Sequence, residues 1–396
     1  MRHRIVVIGG GSAGITVAAR LVRAGEQDVA VVEPSPTHWY QPLWTLVGSG
    51  QARLGETARP EGKVMPRGVR WVQDRAVEID PDARTVTIAA GVPIGYDFLV
   101  VAPGIQLDWD GVGGLGPALG RSGVTSNYRS DLAPLTWELV RKLRGGTALF
   151  TAPSTPIKCG GAPQKAAYLA ADWWRREGVL RDIKVALVIP GTGIFGVPEF
   201  REVLEGVIER YGIEVWLEHE LVEVDGAAHE AVIVDHASGA KRRVPYDVLH
   251  VVPPQSAPDF LKASPLAVAG EHGGWVEADR NSLQHPRYPN VFSLGDASGV
   301  PAAKTGAAVR KQAPVLVANL LDVAAGRPPT ARYEGYSSCP FITARHRVLL
   351  AEFDYSLRPH PTIPFVDTAR ERYDMWLLKR YGLPFLYWNL MLRGLA

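Results

Sequence analysis

The stretch TPIKCGGAPQK, Thr155 to Lys165, sets a cysteine between two lysines, with two glycines directly after it. The residue types point to thiolate chemistry. TALF, Thr147 to Phe150, has the pattern of a strand, and Pro163 suits a first helical turn, so QKAAYLAADWWRR continues as a helix. Cys159 then lies just before a helix N-terminus, with Lys158 adjacent and Lys165 one turn in. The dipole and both ammonium groups favour the thiolate over the thiol. Gly160 and Gly161 let the backbone come close to a flat partner. The second cysteine of the chain, Cys339, follows Ser337 and Ser338 and precedes Pro340, on a loop or at a strand entry. The alternative reading of the two is a pair of buried, inert thiols, and sequence alone does not show that they meet.

Such chemistry needs a scaffold and an electron acceptor. RIVVIGGGSAGITVAARLVRAG reads as strand, tight turn and helix, with Gly9, Gly11 and Gly14 in GxGxxG spacing around Ser12 and Ala13. The first glycine allows the turn, the second lets a pyrophosphate approach, and the third lets helix and strand pack closely. The helix N-terminus offers unpaired N–H groups to the phosphates. The next strand, DVAVVE, ends in Glu33, placed for ribose hydroxyls. YDFLVVAPG, with Ala102 and Gly104, is a further buried strand ending in a glycine turn, and NVFSLGDAS ends in Gly295 and Asp296 ahead of a helix from about Lys304 and Thr305. Three separated strand–glycine turns favour FAD, with Asp296 on ribityl hydroxyls. The helix start and Lys304 would face the charge of a reduced flavin. Gln41, Pro42 and Val77 complete the expected cofactor contacts.

The chain has 396 residues, 46% hydrophobic and 21% charged, with a net charge of +2. This composition suits a folded protein of two or three domains and gives no footing for nucleic-acid binding. MRHRIVVIGGG enters a strand at once and leaves no room for a signal peptide, and no apolar run reaches the roughly 18 to 20 residues of a membrane span. The expectation is a protein on the cytoplasmic side, where two cysteines form no disulfide scaffold. No metal-ligand spacing stands out.

A second glycine pattern, Gly191, Gly193 and Gly196 in VALVIPGTGIFGVPEF, follows another strand, and Glu218 ends the next one. Taken alone it reads as an NADH site and makes the chain a type II NADH dehydrogenase. Two features weigh against that. The first strand–turn–helix of this middle region is the cysteine loop, where a pyrophosphate would bind, and Pro198 falls in the start of the following helix.

GGGSAG, HWYQPLW (His38 to Trp44), TPIKCGGAPQK, GDAS followed by KTGAAV, and YSSCPFITARHRVLLAEFDY together resemble the sulfide:quinone oxidoreductases of the flavin disulfide reductase superfamily, in order and over nearly the whole chain. The KCxGAPQK and SCPxxT elements carry the resemblance far more specifically than the glycines. It implies FAD, a cysteine pair at the flavin, quinone as acceptor and peripheral membrane attachment. Some members carry a third cysteine; this chain resembles the two-cysteine branch, which implies non-covalent FAD. The resemblance further implies that Cys159 and Cys339 meet as a disulfide, possibly with a bridging sulfur. Sulfide would attack it, leaving a persulfide on Cys339. A small acceptor (sulfide, sulfite, cyanide or a thiol) would then remove the sulfane sulfur. The flavin subunit of a flavocytochrome c sulfide dehydrogenase is the runner-up within sulfide chemistry, and a flavin-bound redox sensor is the non-enzyme alternative.

The last stretch, RERYDMWLLKRYGLPFLYWNLMLRGLA, reads as a short amphipathic helix through Tyr373, Trp376, Leu377, Lys379 and Arg380, broken by Gly382 and Pro384 and followed by an apolar aromatic segment. It is too short to span a membrane and rich in interface residues. A packed pair of helices, on this chain or on a second copy, is the alternative. Phe341, Phe353, Tyr355 and Tyr387 are the aromatic residues assigned to a quinone slot, His346 to a proton relay near Cys339, and Pro314 should kink or end the helix after Lys304. The expected architecture is α/β. It has an FAD-binding domain from 1–105 and 283–330, a second Rossmann-like domain from 106–282 carrying Cys159, and a C-terminal membrane-interface module from 331–396 with Cys339.

Overall fold

The computed structural model describes residues 1–270, 273–363 and 365–396. The apolar, β-branched run at the N-terminus forms β1 (Arg2–Ile8), and the glycine turn leads into α1 (Ser12–Arg23). β2 (Val29–Val32) and β3 (Arg70–Val72) extend the sheet on one side of β1. An antiparallel excursion, β4 (Ala76–Asp80) and β5 (Thr85–Ile88), returns through β6 (Pro93–Val101) to the other side of β1. The order is β3-β2-β1-β6-β5-β4, parallel from β3 to β6. Such strands are buried on both faces, which is why they read as continuous apolar runs.

The second unit repeats this plan. β7 (Gly146–Thr151), α2 (Ala162–Arg176), β8 (Ile183–Ile189), α3 (Pro198–Tyr211) and β9 (Glu214–Leu217) build a parallel sheet. A separate antiparallel meander follows: β10 (His219–Asp225), β11 (Glu230–Asp235) and β12 (Lys241–Pro245). β13 (Val248–His250) then pairs beside β7. The order β13-β7-β8-β9 matches β6-β1-β2-β3, and Val124–Thr125 adds an edge pair beside β13.

The chain returns to the first sheet at β14 (Val291–Ser293), which pairs with β6, and enters α4 (Gly306–Ala324). Of the two outcomes expected at Pro314, an end to the helix does not occur: α4 runs on through it. The helix packs Val309, Ala313, Leu316 and Leu320 into the core it shares with α1, and that burial offsets the hydrogen bond the proline removes. A hairpin, β15 (Ser337–Ala344) and β16 (Arg347–Phe353), carries Cys339.

The C-terminal helix also departs from expectation. α5 (Tyr373–Leu377), a π turn (Leu378–Gly382) and α6 (Leu383–Asn389) follow one another without a break at Gly382 or Pro384. Pro384 lies in the first turn of α6, where no N–H is needed, and the wide turn before it takes up the mismatch. No helix among the described residues is long and apolar enough to cross a membrane.

Candidate functional site

The turn between β7 and α2 brings Cys159 to the N-terminal end of a fifteen-residue helix. Cys159 takes a left-handed backbone, φ 54°, unusual for a residue with a Cβ, and two backbone hydrogen bonds hold it there. Its N–H donates to the Lys304 carbonyl at 2.9 Å, and its carbonyl accepts from Ala162 at 2.8 Å. Cys339, 3% exposed, faces it from β15, with the two Sγ atoms 3.8 Å apart. Neither is in a disulfide in this structure. Lys165 donates to Cys159 Sγ at 3.0 Å, its ammonium also standing 5.8 Å from the centre of the Phe341 ring.

The electrostatics follow from this contact. The Cys339 thiol donates to Cys159, and that hydrogen bond holds Cys159 well below the ordinary thiol range; burial opposes it and the Lys165 charge assists. Cys339 is pushed correspondingly up, by the same hydrogen bond and by burial. Burial works against the charge on Lys165, but the two sulfurs more than offset it and keep the lysine protonated. The arrangement is one thiolate, one thiol and one fixed cation.

Gly161 owes its identity to the pair itself. A Cβ there would lie 2.4 Å from the Phe341 ring and 2.7 Å from Cys339 Sγ, whereas Gly160 has no atom within 4 Å of that position. Of the two glycines, Gly160 borders open space and Gly161 admits the second cysteine.

Around β1 the expected cofactor residues converge. A Cβ on Gly9 would sit 2.3 Å from the Ala102 carbonyl, one on Gly14 1.8 Å from the Gly9 carbonyl, and one on Gly11 would meet nothing within 4 Å. So Gly9 and Gly14 are demanded by the protein and Gly11 leaves room in front of the helix. Ser12 and Ala13 begin α1, and Gly295, at the end of β14, lies against Ala13. Glu33 accepts from the N–H groups of Gly10 and Ser35, both at 2.7 Å; burial raises its pKa and these bonds partly counter that. Gly104, φ 81°, turns the chain after β6. Lys304 donates to the carbonyls of Asp296 and Ser298 and stands 3.7 Å from the Trp275 ring centre, and Thr305 caps α4 through Ala308. Because Cys159 is tied to the Lys304 carbonyl, the cysteine loop and the Asp296 strand end meet. Val77 stands apart, 43% exposed on β4, the outermost strand.

Gln41 and Pro42 meet two lysines. Lys158 Nζ donates to Gln41 Oε1 at 2.7 Å and Lys379 Nζ to the Pro42 carbonyl at 2.9 Å. Lys379 was expected on the polar face of a surface helix and is instead buried, its pKa lowered to about 7, first by burial and then by Lys165. Burial likewise lowers Lys158 to about 8.

The four aromatic residues assigned to one slot occupy three places. Phe341 and Phe353 pack with Phe195 beside the cysteines, at ring separations of 5.0 and 5.7 Å from Phe195. Tyr355 lies under Arg280 and donates to the Arg280 carbonyl. The Tyr387 hydroxyl is 2.8 Å from Ser12 Oγ, at the first glycine turn. His346 turns the hairpin at the end remote from Cys339, its ring 4.5 Å from that of Trp376, which removes it from any relay at the sulfurs. Tyr128, which donates to the Lys158 carbonyl, carried no sequence signal, and Lys379 lay in a basic pair that resembles any surface lysine.

The GTGIFG turn sits one unit after the first βα turn of its sheet, since β7, not β8, occupies the place of β1. Its Phe195 covers the aromatic cluster, the Gly191 carbonyl accepts from Glu218, and Gln164 of α2 donates to Ile194. A cavity of about 280 Å³ beside it is lined by Arg201 but also by Glu205 and Glu209, a poor lining for phosphates.

The family model described as pyridine nucleotide-disulphide oxidoreductase matches residues 3–153. The mitochondrial sulfide:quinone oxidoreductase of Mus musculus is 42% identical over 99% of this chain and 87% of its own length. The chain belongs to the sulfide:quinone oxidoreductases. The mitochondrial protein of Dictyostelium discoideum is 41% identical over 99% of this chain and 86% of its own. The solved sulfide:quinone oxidoreductase of Aquifex aeolicus shares the fold, with a TM-score of 0.82, 20% identity, and coverage of 99% of this chain and 92% of that one. Membership makes the protein an oxidoreductase and a flavoprotein. The room before Gly11, the demanded Gly9 and Gly14, and Glu33 at the end of β2 fit FAD.

Proposed function

We propose that the protein oxidises sulfide to sulfane sulfur at Cys159 and Cys339 and delivers the electrons to a membrane quinone. The approach of the chain's two cysteines to 3.8 Å, with Lys165 at 3.0 Å, carries this reading. In the oxidised resting state the pair is a disulfide. Hydrosulfide attacks Cys339 Sγ, forming Cys339–S–SH and breaking the disulfide, and Cys159 leaves as a thiolate held by Lys165. A nucleophile of the class sulfide, sulfite, cyanide or thiol takes the outer sulfur and leaves Cys339 as a thiolate. Re-formation of the disulfide releases two electrons. FAD, when bound, accepts electron pairs and passes them on to a quinone. Both cysteines of the chain serve the sulfur chemistry, which leaves no thiol for a thioether to the flavin and supports non-covalent FAD.

The C-terminal helix supports docking to the membrane surface where the quinone resides. Tyr373, Leu377, Tyr381 and Phe385 recur every four residues and are all exposed, Phe385 to 62%. Four residues overshoot an α-helical turn by about 40°, and the π turn offsets that drift and keeps them on one edge. Aromatic and apolar side chains on such an edge insert at the headgroup boundary.

The test is anaerobic mixing of the flavoprotein with sulfide or NADH while the visible flavin band is followed. Sulfide alone bleaches the band in the wild type and fails to do so in Cys159→Ser and Cys339→Ser. Full bleaching by sulfide in either variant, or bleaching of the wild type by NADH alone, overturns the reading.

A further inference from the structure

Three buried polar groups near the first glycine turn have no part in the sulfur chemistry. His38 Nδ1 lies 3.2 Å from Glu61 Oε2, His38 Nε2 lies 2.6 Å from the Tyr387 hydroxyl, and that hydroxyl lies 2.8 Å from Ser12 Oγ. His38 and Glu61 are as deeply buried as any core residue, and Tyr387 comes from α6, far away in sequence. Burying a carboxyl, an imidazole and a phenol together is costly unless each is hydrogen-bonded, and the bonds joining these three hold one geometry. Its open end is Ser12, the first residue of α1, on the turn where Gly11 leaves room for phosphate.

The other end points to the same place. Glu61 Oε1 has no partner among the described residues, and a Cβ on Gly10 would lie 2.8 Å from it. An unpartnered buried carboxylate oxygen beside the turn, near Glu33, is placed for a hydroxyl of a ligand. The C-terminal segment grips the same helix further along: Gly394 fits against the backbone of Ala19 and Arg20, and Arg20 donates to the Ala396 carbonyl. Tyr387 also packs against Tyr40, ring centres 4.5 Å apart and planes tilted by 40°, so its ring is held independently of its hydroxyl. Burial raises the pKa of that hydroxyl, which therefore keeps its proton to donate.

We propose that Glu61, His38 and Tyr387 form a buried hydrogen-bonded strut that fixes Ser12 and the glycine turn for the FAD pyrophosphate, making the C-terminal helix a wall of the cofactor site. Tyr387 acts through Ser12 and is a positioning residue. The gain is pre-organisation: the turn is held in its ligand-ready form before the phosphates arrive.

Release of FAD from the holoenzyme, followed as the rise of unbound-flavin fluorescence on dilution, tests this. Tyr387→Phe keeps the ring and removes one hydroxyl, and should speed release about five- to tenfold, the factor expected for one buried hydrogen bond. Ser12→Ala should do the same, and the double variant should release no faster than the faster single one. His38→Gln should fall in the same range. An unchanged release rate in Tyr387→Phe overturns the proposal. So do effects that multiply in the double variant, since Tyr387 would then not act through Ser12. A lowered melting temperature without faster release marks a merely structural network and overturns it as well.

Discussion

The two sheets share one strand order and put opposite things at the same turn. After β1, Gly9 and Gly11 make a short turn that leaves the N–H groups of α1 facing open space. After β7, the longer stretch 152–161 crosses in front of α2 and fills that position with Cys159, Cys339 and the aromatic ring of Phe341. Ligands of open α/β sheets bind at the C-terminal strand ends, because helix N-termini and loops meet there. On the proposed function, the first unit offers that place to phosphates, and the second offers the same helix dipole, plus a lysine one turn in, to a sulfur anion. Topology thus decides where a site lies, and the turn decides what it binds.

Substitutions at paired positions separate the two turns. Removing either sulfur has the largest effect: Cys159→Ala or Cys339→Ala should lower sulfide-dependent quinone reduction about a thousandfold or more in steady-state assays, while FAD content stays at wild-type level. Gly161→Ala comes next. Its Cβ would collide with Phe341 and Cys339, so the sulfurs must separate, and stopped-flow flavin reduction by sulfide should slow about a hundredfold with FAD still bound. Gly11→Ala is its mirror image: nothing in the protein opposes the Cβ, so the apoprotein should melt as wild type and hold FAD about tenfold or more weakly. If Gly161→Ala lost FAD and Gly11→Ala lost only sulfide reactivity, the assignment of the turns would be reversed.

Smaller effects probe the charges. Alkylation of reduced protein against pH should show Cys159 reacting far below the ordinary thiol range. Cys339→Ala and Lys165→Met should each move that midpoint up, because the sulfur–sulfur hydrogen bond and the lysine both favour the thiolate. Lys379 gives the smallest effect. Its folded pKa of about 7 lies below its ordinary 10.5, so between these values the unfolded chain binds a proton that the folded one does not. Stability from this group therefore rises with pH through that window, and the full cost of the buried charge is borne below pH 7. Lys379→Met should gain melting temperature over wild type at pH 6 and lose most of that gain by pH 9.

Much of this site was legible before the fold. The glycine spacing, Glu33, Asp296 and both cysteine motifs are local patterns, and each encodes a turn or a helix start that its own neighbours impose. The aromatic residues were harder to place. Phe341, Tyr355 and Tyr387 are equally suited to a core or a pocket, and only the packing sent them to the sulfurs, to Arg280 and to Ser12. Lys379 and Pro314 misled for a related reason: a buried lysine and a helix-borne proline are outweighed locally and sustained by tertiary contacts.

By itself the sequence determined the glycine turn after β1, the thiolate-favouring setting of Cys159 and the aromatic C-terminal helix, because these rest on interactions within one or two helical turns. Tertiary structure alone decided that Cys339 on β15 reaches Cys159, that Gly161 rather than Gly160 makes room for it, and that Tyr387 closes on Ser12. Those contacts join segments far apart in the chain, and their distances are set by strand order and core packing, which no short stretch of residues contains.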